Sequence, residues 1–76
     1  MDASTALALA LPLGLALTAF GSAVGLSKAI SAAMEAMGRQ PEAAGKIQVA
    51  MVIGLAFIEA LTIYVFVSLF VFKAQL

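Results

Sequence analysis

The sequence predicts an all-α membrane protein: a single hairpin domain, residues 1–76, whose two antiparallel transmembrane helices assemble into a closed oligomeric ring. Three observations predict this class. The 76 residues are 64% hydrophobic and 11% charged, and that little charge cannot cover a soluble domain of this size. Two apolar stretches are each long enough to cross a bilayer. Small residues repeat along the first stretch at a spacing that lets membrane helices pack closely.

The composition also excludes several function classes. Cysteine and histidine are absent, which excludes disulfides, thiol nucleophiles and zinc sites built on those ligands. The net charge is zero and there is no basic run, so nucleic acid is not an expected partner. The N-terminus lacks the basic region of a secretory signal peptide. From this composition we expect no catalytic residue, no metal site and no bound cofactor.

The first span covers residues 3–27, which carry no charge, and its helix is predicted over about residues 4–38. Asp2 can cap the start of this helix through its carboxylate. Pro12 removes one helical hydrogen bond, a loss that neighbouring helices in a bundle can compensate. Gly38 is the predicted C-terminal stop.

Small residues occupy every other position in the middle of this helix: Gly21, Ala23, Gly25, Ser27, Ala29 and Ser31. On a helix they form two stripes about 160° apart. One stripe consists of Gly21, Gly25 and Ala29, and the other of Ala23, Ser27 and Ser31. One stripe of small residues supports a dimer. Two nearly opposite stripes give each helix two like neighbours, and a contact repeated in this way can close into a ring. The alternative is an alanine- and glycine-rich membrane helix with chance spacing.

A polar loop is predicted over about residues 39–42, followed by a second helix over about residues 43–74. Arg39 and Lys46 flank the loop, and basic residues in short loops favour the cytoplasm. The loop is therefore expected to be cytoplasmic, with both termini on the outer side. Lys28 can extend to the cytoplasmic headgroups or pair with serine or lipid phosphate, and the sequence favours neither.

Glu59 is the one charged residue between Lys46 and Lys73. The intervening 26 residues can cross a bilayer core of about 30 Å, which places the carboxyl near the membrane centre. A charge there costs about 2.5–3.5 kcal/mol or more, so the neutral, protonated form is favoured. A carboxyl that is neutral in lipid and ionises beside water can carry a proton. The alternative is a polar residue that only holds helices together.

Folding the chain at residues 40–41 places Glu59 level with Ser22, inside the small-residue segment. Aromatic residues are concentrated in the second helix. In a ring of hairpins the thin helix belongs inside and the bulky helix outside, which would place Glu59 near the lipid-facing surface. An aromatic belt at the membrane interface explains the same distribution.

The loop and the surroundings of the carboxyl resemble the c subunit of F-type ATP synthases, the proteolipid of the membrane rotor. The resemblance covers nearly the whole chain. It is most specific in residues 39–47, RQPEAAGKI, and in residues 54–64, GLAFIEALTIY. The small-residue pattern of the first helix is a degenerate form of that family's alternating glycines.

The resemblance implies a role for each matching residue. Glu59 would be the reversibly protonated carboxyl, reactive towards hydrophobic carbodiimides, with the Phe57 carbonyl and the Tyr64 hydroxyl as supports. Ser22, level with Glu59, could add an oxygen or hold a water molecule. The loop residues that would meet the central stalk are Arg39, Gln40 and Pro41.

Two departures from the family pattern bear on the transported ion. Leu26 stands where many relatives carry a glutamine, and Ala60 stands where sodium-coupled relatives carry a serine. Both changes remove ligands that a sodium ion needs to replace its hydration shell. The resemblance therefore implies H⁺ as the transported ion.

The implied partners are a homo-oligomeric ring, a stator subunit carrying an arginine, the central-stalk subunits of the catalytic head, and membrane lipids. The chain would be a non-catalytic subunit in a bacterial plasma membrane. Two other classes compete with this interpretation. A small proton-coupled exporter needs four spans, and a holin-like pore former or structural hairpin needs no central carboxyl.

Overall fold

The computed structural model describes residues 1–74 and contains two long antiparallel helices. Helix α1 spans Ala3–Arg39, a 3₁₀ turn spans Pro41–Ala43, and helix α2 spans Ala44–Lys73. The molecule measures 58 × 17 × 7 Å, the dimensions of a single helical hairpin. The predicted all-α helical hairpin is confirmed, and its assembly into a ring stays a prediction. Gln75 and Leu76, the end of the predicted hairpin domain, lie outside the described residues.

The hairpin has no apolar core of its own. Among residues 1–74 the one buried side chain is Ser22, while Leu17, Phe20 and Phe57 are each more than 70% exposed. An isolated hairpin in water would expose far more contiguous apolar surface than soluble monomers tolerate. Both helices are long and apolar enough to cross a membrane. The apolar surface that the chain cannot cover itself is therefore suited to contact with lipid or with neighbouring protein.

Asp2 caps the start of α1. Its Oδ1 accepts a hydrogen bond of 2.8 Å from the Thr5 backbone N–H, which satisfies one of the free donors of the first turn. This backbone hydrogen bond lowers the pKa of Asp2. Because the folded-state pKa is the lower one, the cap contributes above the ordinary pKa of an aspartate. Its contribution is lost as the pH falls through the lowered value.

The end of α1 differs from the prediction. Gly38 is the predicted stop, but the helix continues to Arg39, and no residue among the described ones has a positive φ. The stop is set by Pro41, because a proline disfavours the helical conformation of the residue before it. Gln40 accordingly adopts φ −131° and ψ 75°, while its N–H still bonds the Ala36 carbonyl at 2.9 Å.

The two helices meet along one stripe of each. Positions at steps of three and four residues are shielded in both helices, as expected for straight helices with 3.6 residues per turn. On α1 the shielded positions near the middle include Thr18, Ser22, Gly25 and Ala29; on α2 they include Leu55, Ile58, Thr62 and Val65. The small α1 side chains allow a close approach: a Cβ placed on Gly25 would lie 3.8 Å from Ile58 Cγ2.

Candidate functional site

A small cavity lies between the helices at the level of Glu59. Its volume is about 130 Å³, and it is lined by Ala19, Ser22, Ala23, Leu26, Glu59 and Thr62. The antiparallel fold therefore brings the α2 carboxyl beside the small-residue segment of α1. Leu26 supplies an apolar wall at the position where the resemblance predicts a lost amide.

Two hydroxyls in this cavity have no hydrogen-bond partner within the described chain. Ser22 Oγ and Thr62 Oγ1 are both buried and unpaired, and the Ser22 residue is only 9% exposed. Other hydroxyls in the same interface are satisfied. Thr18 Oγ1 donates to the Gly14 carbonyl at 2.9 Å, and Ser68 Oγ donates to the Val65 carbonyl. The site at Glu59 is thus the place where unsatisfied polar groups concentrate.

Glu59 itself lies at the edge of the cavity, with its side chain exposed on the flank of α2. It makes no ion pair among residues 1–74; the ion pair found there joins Arg39 Nη2 to Glu35 Oε1 at 3.0 Å. Lys28, also exposed, does not line the cavity.

Phe57 and Tyr64 do not line this cavity in the single hairpin. Their side chains are 73% and 70% exposed. Five residues along a helix correspond to a rotation of about 140°, so Tyr64 points well away from the direction of Glu59. The supporting roles of the Phe57 carbonyl and the Tyr64 hydroxyl stay predictions that depend on contacts between copies.

The residues predicted to pack between copies fall into two groups. Gly25 faces Ile58 of the same chain, and Ala29 is half-buried, so both serve the hairpin itself. The others remain exposed: Gly21, Ala23, Ser27 and Ser31. An added Cβ at Gly21 would meet no atom within 4 Å. The exposed group is therefore available for contacts between copies, which stay a prediction.

The loop end of the hairpin is exposed and held by local bonds. Arg39 pairs with Glu35 one helical turn earlier, a surface pair worth about 0.3–0.5 kcal/mol. The Gln40 carbonyl accepts from the Ala43 N–H at 2.9 Å, which closes the 3₁₀ turn that begins at Pro41. The side chains of Gln40 and Pro41 are exposed and can meet a partner.

A larger cavity of about 380 Å³ lies nearer the chain termini, between residues such as Leu11, Pro12 and Phe70, with Lys73 at its edge. Its lining is otherwise apolar and offers no group for proton chemistry. No cluster of potential metal ligands occurs within residues 1–74. The Glu59 cavity is therefore a better candidate than this one, although it is smaller.

Thr62, which the sequence offers as a further oxygen near Glu59, lines the cavity in the structure. Leu55, Ile58 and Thr62 follow one another in α2 at steps of three and four residues. This spacing places their side chains on the face of α2 turned towards α1. Because α2 is apolar nearly all round, hydrophobic contrast does not identify that face.

Comparison with known proteins gives one consistent result. The family of ATP synthase c subunits matches residues 7–72. The ATP synthase c subunit of Protochlamydia amoebophila is 58% identical over 71 residues, which are 93% of this chain and 72% of that protein. The corresponding protein of Geobacter metallireducens is 48% identical over 67 residues, 88% of this chain and 74% of that protein. No solved structure gives a significant match.

Proposed function

This chain belongs to the family of ATP synthase c subunits, and we propose that it forms the proton-translocating rotor ring of an F-type ATP synthase. The observation that carries the proposal is Glu59. It is the one charged residue in the apolar body of α2, and it borders a cavity between the helices that also contains two unpaired hydroxyls. Reversible protonation of this carboxyl would couple proton flow to rotation of the ring and to ATP synthesis.

Electrostatics limits where in the cycle the Glu59 carboxyl can be ionised. The ionised carboxylate is penalised by several kcal/mol wherever it faces lipid, so each Glu59 must be protonated before it can leave the stator. Beside a stator subunit that supplies an arginine and two half-channels, the carboxyl can release its proton and take another from the opposite side. A membrane potential adds about 2.3 kcal/mol per charge per 100 mV.

The remaining parts of the chain fit this role. The exposed small residues of α1, which include Gly21, are suited to close packing between copies. The basic residues Arg39 and Lys46 favour a cytoplasmic loop, where the exposed Gln40 and Pro41 would contact the central stalk. Both termini would lie on the outer side of a bacterial plasma membrane. The chain would perform no catalysis itself, because ATP chemistry would belong to the head.

Proton transport is proposed over sodium transport because the cavity offers few oxygens. Glu59, Ser22 and Thr62 supply oxygen ligands, whereas the side chains of Leu26 and of Ala60, next to Glu59, supply none. Sodium needs several oxygens to replace its hydration shell. A proton needs only the carboxylate and one acceptor for the resulting hydroxyl.

We expect the protein, purified from membranes in mild detergent, to appear as a closed ring of many copies in projection images from electron microscopy. The flank of α1 with exposed small residues is suited to close packing against like neighbours. Isolated hairpins, or pairs forming four spans, would contradict the rotor proposal.

Substituting Arg39 or Gln40 by alanine should weaken attachment of the catalytic head while leaving passive proton flux through the membrane sector intact. The reason is that both residues lie at the exposed loop, far from Glu59. Head binding and proton flux in stripped membranes measure the two effects separately. Loss of flux together with normal head binding would reverse the assignment. Glu42→Gln, an exposed loop variant, is the matched control.

A further inference from the structure

The unpaired hydroxyls beside Glu59 require partners that the hairpin does not supply. Ser22 Oγ and Thr62 Oγ1 are buried without a hydrogen bond in the described chain. The contrast with Thr18 is informative, because its hydroxyl bonds the Gly14 carbonyl of its own helix. Buried polar groups in proteins are normally paired with protein or with ordered water. The two exceptions in this interface line the same cavity.

The cavity has the size and polarity to hold water. Its volume of about 130 Å³ exceeds the roughly 30 Å³ that a water molecule takes up in the liquid. A buried water typically makes two to four hydrogen bonds. Here the polar groups are three: the two hydroxyls and the Glu59 carboxyl. The rest of the lining consists of Ala19, Ala23 and Leu26 and cannot bind an ion tightly.

We propose that Ser22 and Thr62 hold water against the Glu59 carboxyl, so that the proton site is hydrated from the α1 side. The inference rests on the proposed function of Glu59 and adds the groups that complete the site. In the protonated state the carboxyl O–H donates to the water oxygen. The water in turn donates to the hydroxyl oxygens of Ser22 and Thr62. The carboxyl thereby stays hydrogen-bonded while it travels past lipid, without an amide from α1.

Infrared difference spectroscopy of the assembled protein in lipid, comparing low and high pH, tests this arrangement. The wild type should show a titrating carboxyl C=O band that the Glu59→Gln variant lacks, and an O–H stretching band of bound water. The water band should move to lower frequency in H₂¹⁸O, because the heavier oxygen vibrates more slowly. The double variant Ser22→Ala/Thr62→Val should lose the water band and keep a titrating carboxyl band at a shifted frequency.

The control is Thr18→Val/Ser68→Ala, which removes two hydroxyls of the same interface that already have partners. It should retain the water band. Thr62→Ser should also retain it, whereas Thr62→Val alone should weaken it, and these single variants serve if the double variant fails to assemble. A titrating carboxyl band without an H₂¹⁸O-sensitive band overturns the inference, as does a water band that survives in the double variant. Absence of a titrating carboxyl band that Glu59→Gln removes contradicts the proposed function instead.

Discussion

Glu59→Gln is expected to abolish proton-coupled ATP synthesis, reducing it to the background of empty vesicles, while the ring still assembles. The amide has nearly the same volume as the carboxyl and can donate to the same partners, so packing at the cavity should survive. It cannot release a proton near neutral pH, so each copy would stay neutral and the ring could not be driven. Proton flux and ATP synthesis in reconstituted vesicles measure the loss.

The matched control for this variant is Glu35→Gln, which removes a carboxylate of α1 that pairs with Arg39 near the exposed loop. It should leave transport close to wild type, because a surface ion pair contributes little. Failure of the Glu59→Gln ring to assemble would mean that Glu59 is a structural residue that only holds helices together. Residual coupled transport would also contradict its assigned role.

Gly21→Leu is expected to abolish ring assembly while leaving the hairpin intact. Within the hairpin an added Cβ at Gly21 has open space. Leucine ranks close to alanine in helix propensity, whereas glycine is roughly 0.8–1.0 kcal/mol less favourable than alanine. Any loss must therefore come from contacts between copies, where a leucine would hold the helices apart. Size-exclusion chromatography and electron microscopy measure the assembly, and circular dichroism measures the helix content.

Gly25 provides the comparison. A Cβ at this position would meet Ile58 at 3.8 Å, an ordinary van der Waals contact, so Gly25→Ala should keep both hairpin and ring. Gly25→Leu should instead disturb the hairpin, because overpacking typically costs about 1–3 kcal/mol. A ring that forms normally with leucine at position 21 would show that Gly21 does not lie between copies.

The hairpin could be predicted because length and hydropathy decide it. A bilayer requires about 20 apolar residues per helix, and this chain has two such stretches joined at Pro41. The position of Glu59 along the hairpin, opposite Ser22, also follows from the antiparallel fold. In the structure Ser22 and Glu59 line one cavity. Helix α1 ends at Arg39, one residue beyond the predicted stop at Gly38, because the constraint that proline imposes on the residue before it outweighs the tendency of glycine to end a helix.

Rotation of the helices about their own axes could not be predicted. In a soluble protein the apolar stripe of a helix identifies its buried face, but in α2 nearly every face is apolar. The direction of Thr62 towards α1, and of Gly25 towards Ile58, therefore required the structure. The supports expected from Phe57 and Tyr64 depend on a neighbouring copy, which one chain cannot define.

Glu59 must be protonated wherever it faces lipid if the proposed rotor is to work. Labelling of the intact assembly with a hydrophobic carbodiimide, followed by mass spectrometry, tests this most directly, because the reagent partitions into lipid and reacts with protonated carboxyls. We predict modification at Glu59 alone, falling as the pH rises and unchanged by sodium. Equal labelling of Glu35 or Glu42, or no dependence on pH, would contradict a lipid-facing acid. Protection by millimolar sodium but not by potassium would make the ring a sodium rotor.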